Sequence, residues 1–176
     1  MRGGARLHVT YPPSLKEAFG GSGQLKVSLG NFGHIQYGTT IGSHLTYDAT
    51  NIQGCLPFES YFTHGKKIVL VEAGGCPITQ KVRNIEAAGG QLAVIGDAFF
   101  ENVEDVFMED MDGSGFSLTI PAMMIQKDDA KLLLDQLVLD TKIKMRAELE
   151  VSQTENKMVE VSLWYGSSLD LPMNLM

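Results

Sequence analysis

Two short apolar runs, Ile68–Val71 and Leu92–Ile95, flank a stretch that carries apolar residues at Ile78, Val82, Ile85 and Ala88. Spacings of three and four put those four on one helix face, whereas the flanking runs are short and β-branched, as buried strands are. Two strands joined by one helix predict a right-handed βαβ crossover and a parallel strand pair. Pro77 or Thr79 can open the helix, and Gly89–Gly90 can close it in a left-handed turn. The joint Ala73-Gly74-Gly75-Cys76 falls where the first strand passes into the helix. Backbone amides point outward at such a joint, and glycines let a bound group approach closely. Function is expected there.

The pattern outside this unit is mostly β. Leu7–Thr10 alternates and predicts a first strand, stopped at Tyr11-Pro12-Pro13-Ser14; Glu17–Gly23 reads as an exposed loop. Gln24–Ser28 alternates as a second strand. Gly30–Gly33 is a turn, followed by an extended piece through Gln36-Tyr37-Gly38. Thr39–Tyr47 is β-prone, with Gly42 marking a bulge or bend. Asn51–Phe58 is loop. Phe99–Gly115 is an acidic loop with room for one helical turn, and Ser117–Ile125 is a buried strand in which Pro121 forces an edge or bulge. Lys127–Asp140 is the second helix, its apolar face Leu133, Leu134, Leu137 and Val138, with Asp128 and Asp129 complementing the dipole in its first turn. Lys142–Val151 and Lys157–Tyr165 alternate as antiparallel strands joined at Ser152–Asn156. The expected class is α+β, a β-sandwich or open barrel with two main flanking helices.

Composition narrows the function classes. A 176-residue chain that is 44% hydrophobic supports one compact domain, 1–176, with a core from about Leu7 to Tyr165. The net charge of −7, with no Lys/Arg cluster, argues against a nucleic-acid partner. No apolar run is long enough to span a membrane, and the N-terminal residues lack the apolar core of a signal peptide. The chain reads as excised from a longer one. Its two cysteines, Cys55 and Cys76, are either free buried thiols or a single disulfide, which would contribute roughly 3 kcal/mol and imply an oxidising compartment.

Candidate chemistry is sparse. Gly20-Gly21-Ser22-Gly23-Gln24 fails the nucleophile-elbow pattern at its last position. His8, His34, His44 and His64 match no zinc spacing, and a Cys76–His64 dyad has no third residue to orient it. Asp110-Met111-Asp112-Gly113-Ser114-Gly115 opens like a calcium loop, but Pro121 stands where the bidentate glutamate belongs. Ala73–Cys76 lacks the Lys and Ser/Thr of a phosphate-binding loop. No catalytic set, metal or cofactor is expected, and the chain is not read as an enzyme.

Several elements in order resemble the protease-associated domain. They are Gly30-Asn31-Phe32-Gly33 with Gln36-Tyr37-Gly38, the loop Cys55, the strand–turn–Cys76 unit, Ala87-Ala88-Gly89, Ala93-Val94-Ile95, Thr119-Ile120-Pro121-Ala122 and Leu163-Trp164-Tyr165. The first of these looks most like the lumenal domain of plant-type vacuolar sorting receptors. The resemblance implies a non-catalytic module that binds peptide or protein cargo in the lumen of the secretory or endosomal–vacuolar pathway, or outside the cell. Its parent would be a type I membrane protein, the module itself not entering the bilayer. It also implies a Cys55–Cys76 disulfide. The family's cargo loop, R-G-x-C-x-F, falls on Ala73, Gly74, Gly75, Cys76, Pro77 and Ile78, with Ala73 for the arginine and Ile78 for the phenylalanine. A second wall falls on the acidic stretch, with Glu104, Asp105 and Met108. With no arginine and many carboxylates, the site is expected to favour a basic ligand. Two other settings fit the family: a lid or substrate-selecting insert of a protease, and the lumenal domain of a transmembrane RING ubiquitin ligase.

Overall fold

The computed structural model describes residues 4–58, 66–97 and 102–151. Its elements run β1 (Ala5–Tyr11), α1 (Pro13–Ala18), β2 (Gln24–Leu25), β3 (Val27–Leu29), β4 (Thr40–Thr46), β5 (Lys67–Glu72), α2 (Ile78–Ala87), β6 (Gly90–Gly96), β7 (Ala122–Ile125), α3 (Lys127–Val138) and β8 (Lys144–Leu149). Short 3-10 turns at Val103–Asp105 and Gly115–Ser117 interrupt the acidic loop. The class is α+β, and among the described residues there is one mixed sheet ordered β2-β1-β8-β4-β5-β6-β7-β3 and three helices.

The four central strands, β4 to β7, are parallel neighbours, and antiparallel strands flank them on both sides. The βαβ unit is present as the hydrophobic pattern predicts: β5 and β6 pair in parallel through Ile68↔Leu92 to Glu72↔Gly96, with α2 between them in the chain. Both faces of these strands are covered, which is why they read as unbroken apolar runs and not as alternating ones. Ile68, Leu70, Leu92, Val94, Met123 and Ile125 belong to a core with Ala130 and Leu133 of α3 and the inner face of β1 and β8. Val69, Val71, Ala93, Ile95, Ala122 and Met124 turn the other way, into a second core with Val82, Ile85 and Ala88 of α2. The helices therefore lie on opposite faces of the parallel strands.

Several expectations are corrected. Gln24–Ser28 is two strands: Leu25 pairs with Leu7 of β1, and Val27 pairs with Ile125 of β7. Only Lys26 separates these two, which are the first and last strands of the sheet order, and β1 also contacts β3. Helix α1 takes in the end of the expected stop at Pro13-Ser14 and the first two residues, Glu17 and Ala18, of the loop expected over Glu17–Gly23; Pro13 occupies its first turn and Leu15 is buried. The backbone turns at Tyr37–Gly38, with Gly38 at φ 84°, so the extended piece expected there is broken. The register across Gly42 is unbroken from Thr40↔Glu148 to His44↔Lys144, so there is no bulge. The strand expected over Ser117–Ile125 starts only at Ala122, after the second 3-10 turn and after Pro121, which has no N–H to offer a ladder. Pro121 still contributes its carbonyl, which accepts from the Ala93 amide at 3.1 Å. On α3 the buried residues are Ala130 and Leu133, while Val138 is 63% exposed. Lys157–Tyr165 lies outside the described residues.

Gly96 allows α3 to pack on β6, since a Cβ built there would sit 2.6 Å from the Ala130 Cβ. Gly96→Ala is expected to destabilise the fold by about 1–3 kcal/mol in urea unfolding, because neither backbone can yield freely. Adding Ala130→Gly should recover most of that loss; failure to recover would place the strain elsewhere.

Candidate functional site

The turn after β5 is held from three directions. Its backbone is tied to the sheet by the Ala73 amide, which donates to the Gly96 carbonyl at 2.9 Å. Gly74 and Gly75 have φ of 89° and 80°, a left-handed pair that side chains disfavour, and a Cβ on Gly75 would lie 2.4 Å from Gln53 Oε1. Cys76 is bonded to Cys55, with Cα atoms 5.8 Å apart, so the loop before β5 is tied covalently to the turn after it. The Glu72 amide also donates to Ile52 of that loop, at 2.9 Å.

Helix α2 provides the third attachment. Gln80 Nε2 donates to the Cys55 carbonyl at 2.8 Å, and Asn84 Nδ2 to the Gly54 carbonyl at 2.9 Å. Between them Lys81 is wholly buried, at 0% exposure. Its Nζ donates to the Gln53 carbonyl at 2.6 Å and to the Gly74 carbonyl, and lies 3.5 Å from Cys55 Sγ. One ammonium thus joins the disulfide loop to the glycine turn. Burial lowers the lysine's pKa below its ordinary 10.5, and the nearby Glu72 carboxylate opposes that shift. Lys81 was not singled out in the sequence, although its place between Ile78 and Val82, four residues before Ile85, puts it on the apolar face. A lysine inside an apolar stripe was the available signal.

The opposite edge of α2 carries the acidic loop. Thr79 Oγ1 donates to Asp112 at 3.0 Å, Arg83 donates to the Ser114 carbonyl at 2.6 Å and to Ser117 Oγ at 2.9 Å, and the Thr119 amide donates to Glu86 at 2.8 Å. The Ser114 hydroxyl and amide donate to Asp112 at 2.8 and 3.0 Å. The Ser114 hydroxyl and its amide, with smaller help from Thr79 and Asp110, hold the Asp112 carboxyl down at about 2, from an ordinary 3.8, against an opposing desolvation. On its other side the loop is fixed by Ser28 Oγ donating to the Val106 carbonyl at 2.5 Å and the Asn31 amide donating to Met108 at 3.2 Å.

The sequence-derived site residues therefore divide. Ala73, Gly74, Gly75, Cys76 and Pro77 form the turn, with both glycines and Pro77 exposed, and Ile78 begins α2 while packing partly on the second core. Glu104 and Asp105 are exposed in the first 3-10 turn. Met108 is 1% exposed and belongs to the second core, so its side chain supports the loop from beneath. On the α3 side, Ala73 also lines a cleft of about 500 Å³ with Ile52, Leu70, Ala130 and Leu134, at the carboxyl ends of β5 and β6. The cleft had no counterpart in the sequence reading, because its walls come from three distant segments. Among the described residues no group of three or more His, Cys, Asp or Glu is arranged to hold a metal, and no helix is long and apolar enough to cross a membrane.

The depressed Asp112 carboxyl contributes stability that is complete above pH 3.8 and is lost as pH falls through about 2. In urea unfolding, Asp112→Asn should be less stable than the wild type at neutral pH, and the gap should close over that acid range. A gap that persists at the acid end would contradict the Asp112 clip.

A family profile for the PA domain matches residues 43–133, just over half of the 176 residues and running from within β4 into α3. Among curated proteins the chain is similar to vacuolar-sorting receptor 1 of Pisum sativum, 28% identical over 171 residues, covering 92% of this chain and 26% of that protein. It is similar also to vacuolar-sorting receptor 3 of Arabidopsis thaliana, at 25% over 174 residues, with 92% and 27% covered. The chain thus spans about a quarter of the length of the curated relatives it matches. Among solved structures it resembles a zinc aminopeptidase from Bacillus subtilis, with a TM-score of 0.58, 17% identity and coverage of 86% of this chain and 32% of that one. An aminopeptidase from Aneurinibacillus sp. strain AM-1 gives 0.60, 14%, 85% and 31%. At these identities the structural likeness speaks for the fold alone. With the family profile matching more than half of its residues, the chain belongs to the PA domain family.

Proposed function

We propose that this PA domain is a non-catalytic module that selects an extended peptide or protein segment for a larger protein. The observation that carries the reading is the glycine turn Ala73–Cys76. It is fixed by the disulfide and by Lys81, and its first residue, Ala73, lines a cleft with apolar walls and the charged residues Glu72, Asp97, Lys127, Lys131 and Asp135 at the carboxyl ends of parallel strands. A turn already fixed in shape loses little freedom on binding, which favours recognition by backbone groups. In this reading Ala73, Gly74, Gly75, Cys76, Pro77 and Ile78 line one side of the ligand. Glu104 and Asp105 colour the approach from the acidic loop, and Met108 holds that loop in shape. The continuity of β2 and β3 through Lys26 is taken to close the sheet as an open barrel that supports the turn.

Two settings for the module are each favoured by an observation. Similarity to the sorting receptors across 92% of the chain favours cargo recognition in a membrane-anchored receptor of the secretory or endosomal–vacuolar lumen. The disulfide fits that oxidising setting. The fold shared with aminopeptidases favours a substrate-selecting insert beside a peptidase domain. Ala73 and Ile78, where the receptor loop pattern has arginine and phenylalanine, weigh toward this second setting. Both assign peptide selection to the same turn.

Screening the domain against an immobilised peptide library should return basic peptides. Gly75→Val should weaken the best of them by about tenfold or more, since the turn cannot keep its shape. Replacing Glu104 and Asp105 with Gln and Asn should weaken basic ligands by roughly twofold to fivefold at low salt, and less as salt rises. Retained affinity in both variants, or a preference for acidic peptides, would overturn the assignment of this turn.

A further inference from the structure

We infer that Cys55 is the reactive half of the disulfide: when the bond is opened, Cys55 is released as a thiolate held by the buried Lys81 ammonium. This rests on the lysine's position and not on any ligand of the domain. Lys81 Nζ lies 3.5 Å from Cys55 Sγ, and among the described residues no carboxylate forms an ion pair with it; Glu72 acts on it from nearby, and its contact partners are the neutral carbonyls of Gln53 and Gly74. A full positive charge at that distance, shielded from water, favours the charged form of a sulfur.

Cys76 has a competing claim because it precedes α2, and a helix N-terminus also stabilises thiolates. That claim is the weaker one. The helix end amounts to about half a charge, spread over its free amides. The residue between Cys76 and the helix is Pro77, which has no N–H to donate. The Gln80 and Lys81 amides are already directed at the Pro77 carbonyl, at 3.1 and 3.3 Å. Cys55 faces a whole, localised cation.

The chemistry follows from the leaving-group rule, by which the sulfur of lower pKa departs more readily. A thiolate of a small external thiol attacks Cys76 Sγ, forming a mixed disulfide there. The Cys55–Cys76 bond breaks, and its electron pair leaves on Cys55 Sγ beside Lys81. A second external thiolate then attacks the outer sulfur of the mixed disulfide, so that the external thiol is oxidised to its disulfide and Cys76 is released. Two electrons pass from the two external thiols to the protein. Both cysteines are partly exposed, so a small thiol can reach them. Cys55 thereby becomes the site at which electrophiles modify the reduced domain.

The test uses the whole chain, reduced without denaturant and pulsed with iodoacetamide at a series of pH values, each cysteine being quantified by peptide mass mapping. The midpoint of each pH profile reports the thiol pKa independently of accessibility. Cys55 should titrate below Cys76, and its advantage in alkylation below both midpoints should be roughly threefold for each unit that separates them. Lys81→Met should bring the two midpoints together, whereas Lys81→Arg should keep them apart. Partial reaction with glutathione should leave the mixed disulfide on Cys76 and a free Cys55. Equal midpoints in the wild type, or glutathione carried on Cys55, would overturn the inference. If Lys81→Met does not fold, those two wild-type results decide it.

Discussion

A buried ammonium that is ion-paired to no carboxylate among the described residues has to be satisfied by something else, and in this domain the Gln53 and Gly74 carbonyls do so. The two belong to segments on either side of β5, so Lys81 can be satisfied only when the disulfide loop and the glycine turn are both in place. The cost of leaving a buried cation partly unsatisfied is several times that of an ordinary hydrogen bond. The lysine therefore acts as a condition on the local fold. The turn, the loop and α2 form together or not at all. The disulfide adds a covalent tie at the same place, and Gln80 and Asn84 extend the attachment along the loop.

The same helix shapes the surroundings of the turn. Its apolar residues Val82, Ile85 and Ala88 lie on the second core, one edge reaches the disulfide loop, and the other carries the acidic loop through Thr79, Arg83 and Glu86. Three surfaces of a ten-residue helix are thus committed. What is left open is the stretch just before it, where Gly74, Gly75 and Pro77 are exposed. A fixed, exposed edge of this kind is what the proposed peptide-selecting role requires.

What was legible in the sequence follows from the range of each interaction. The βαβ unit was readable because strands covered on both faces leave uninterrupted apolar runs, and α2 announces itself by its spacing. The break at Lys26 was hidden because the alternation of Leu25 and Val27 runs straight through it; only the tertiary partners, Leu7 and Ile125, distinguish two strands. Helix α1 was missed because Pro12-Pro13 reads as a stop, although a proline suits the first turn of a helix. At the site, the turn and its glycines were visible, and the disulfide came with the family resemblance. Lys81 went unnoticed because a lysine is scored as a surface residue unless something shows what receives it. Its acceptors, 28 and 7 residues away, are backbone carbonyls that leave no mark in the pattern.

The claim that one buried lysine fixes the turn is most directly tested by amide hydrogen exchange on Lys81→Met with the disulfide intact. Gly54 and Ala73 amides are the reporters, since each donates to a backbone carbonyl in the folded domain, at 2.8 and 2.9 Å. Both should lose protection together in the variant, while Val94 in the centre of the sheet keeps its own. Unchanged protection at Gly54 and Ala73 would contradict the account, because the disulfide alone would then suffice to hold the turn.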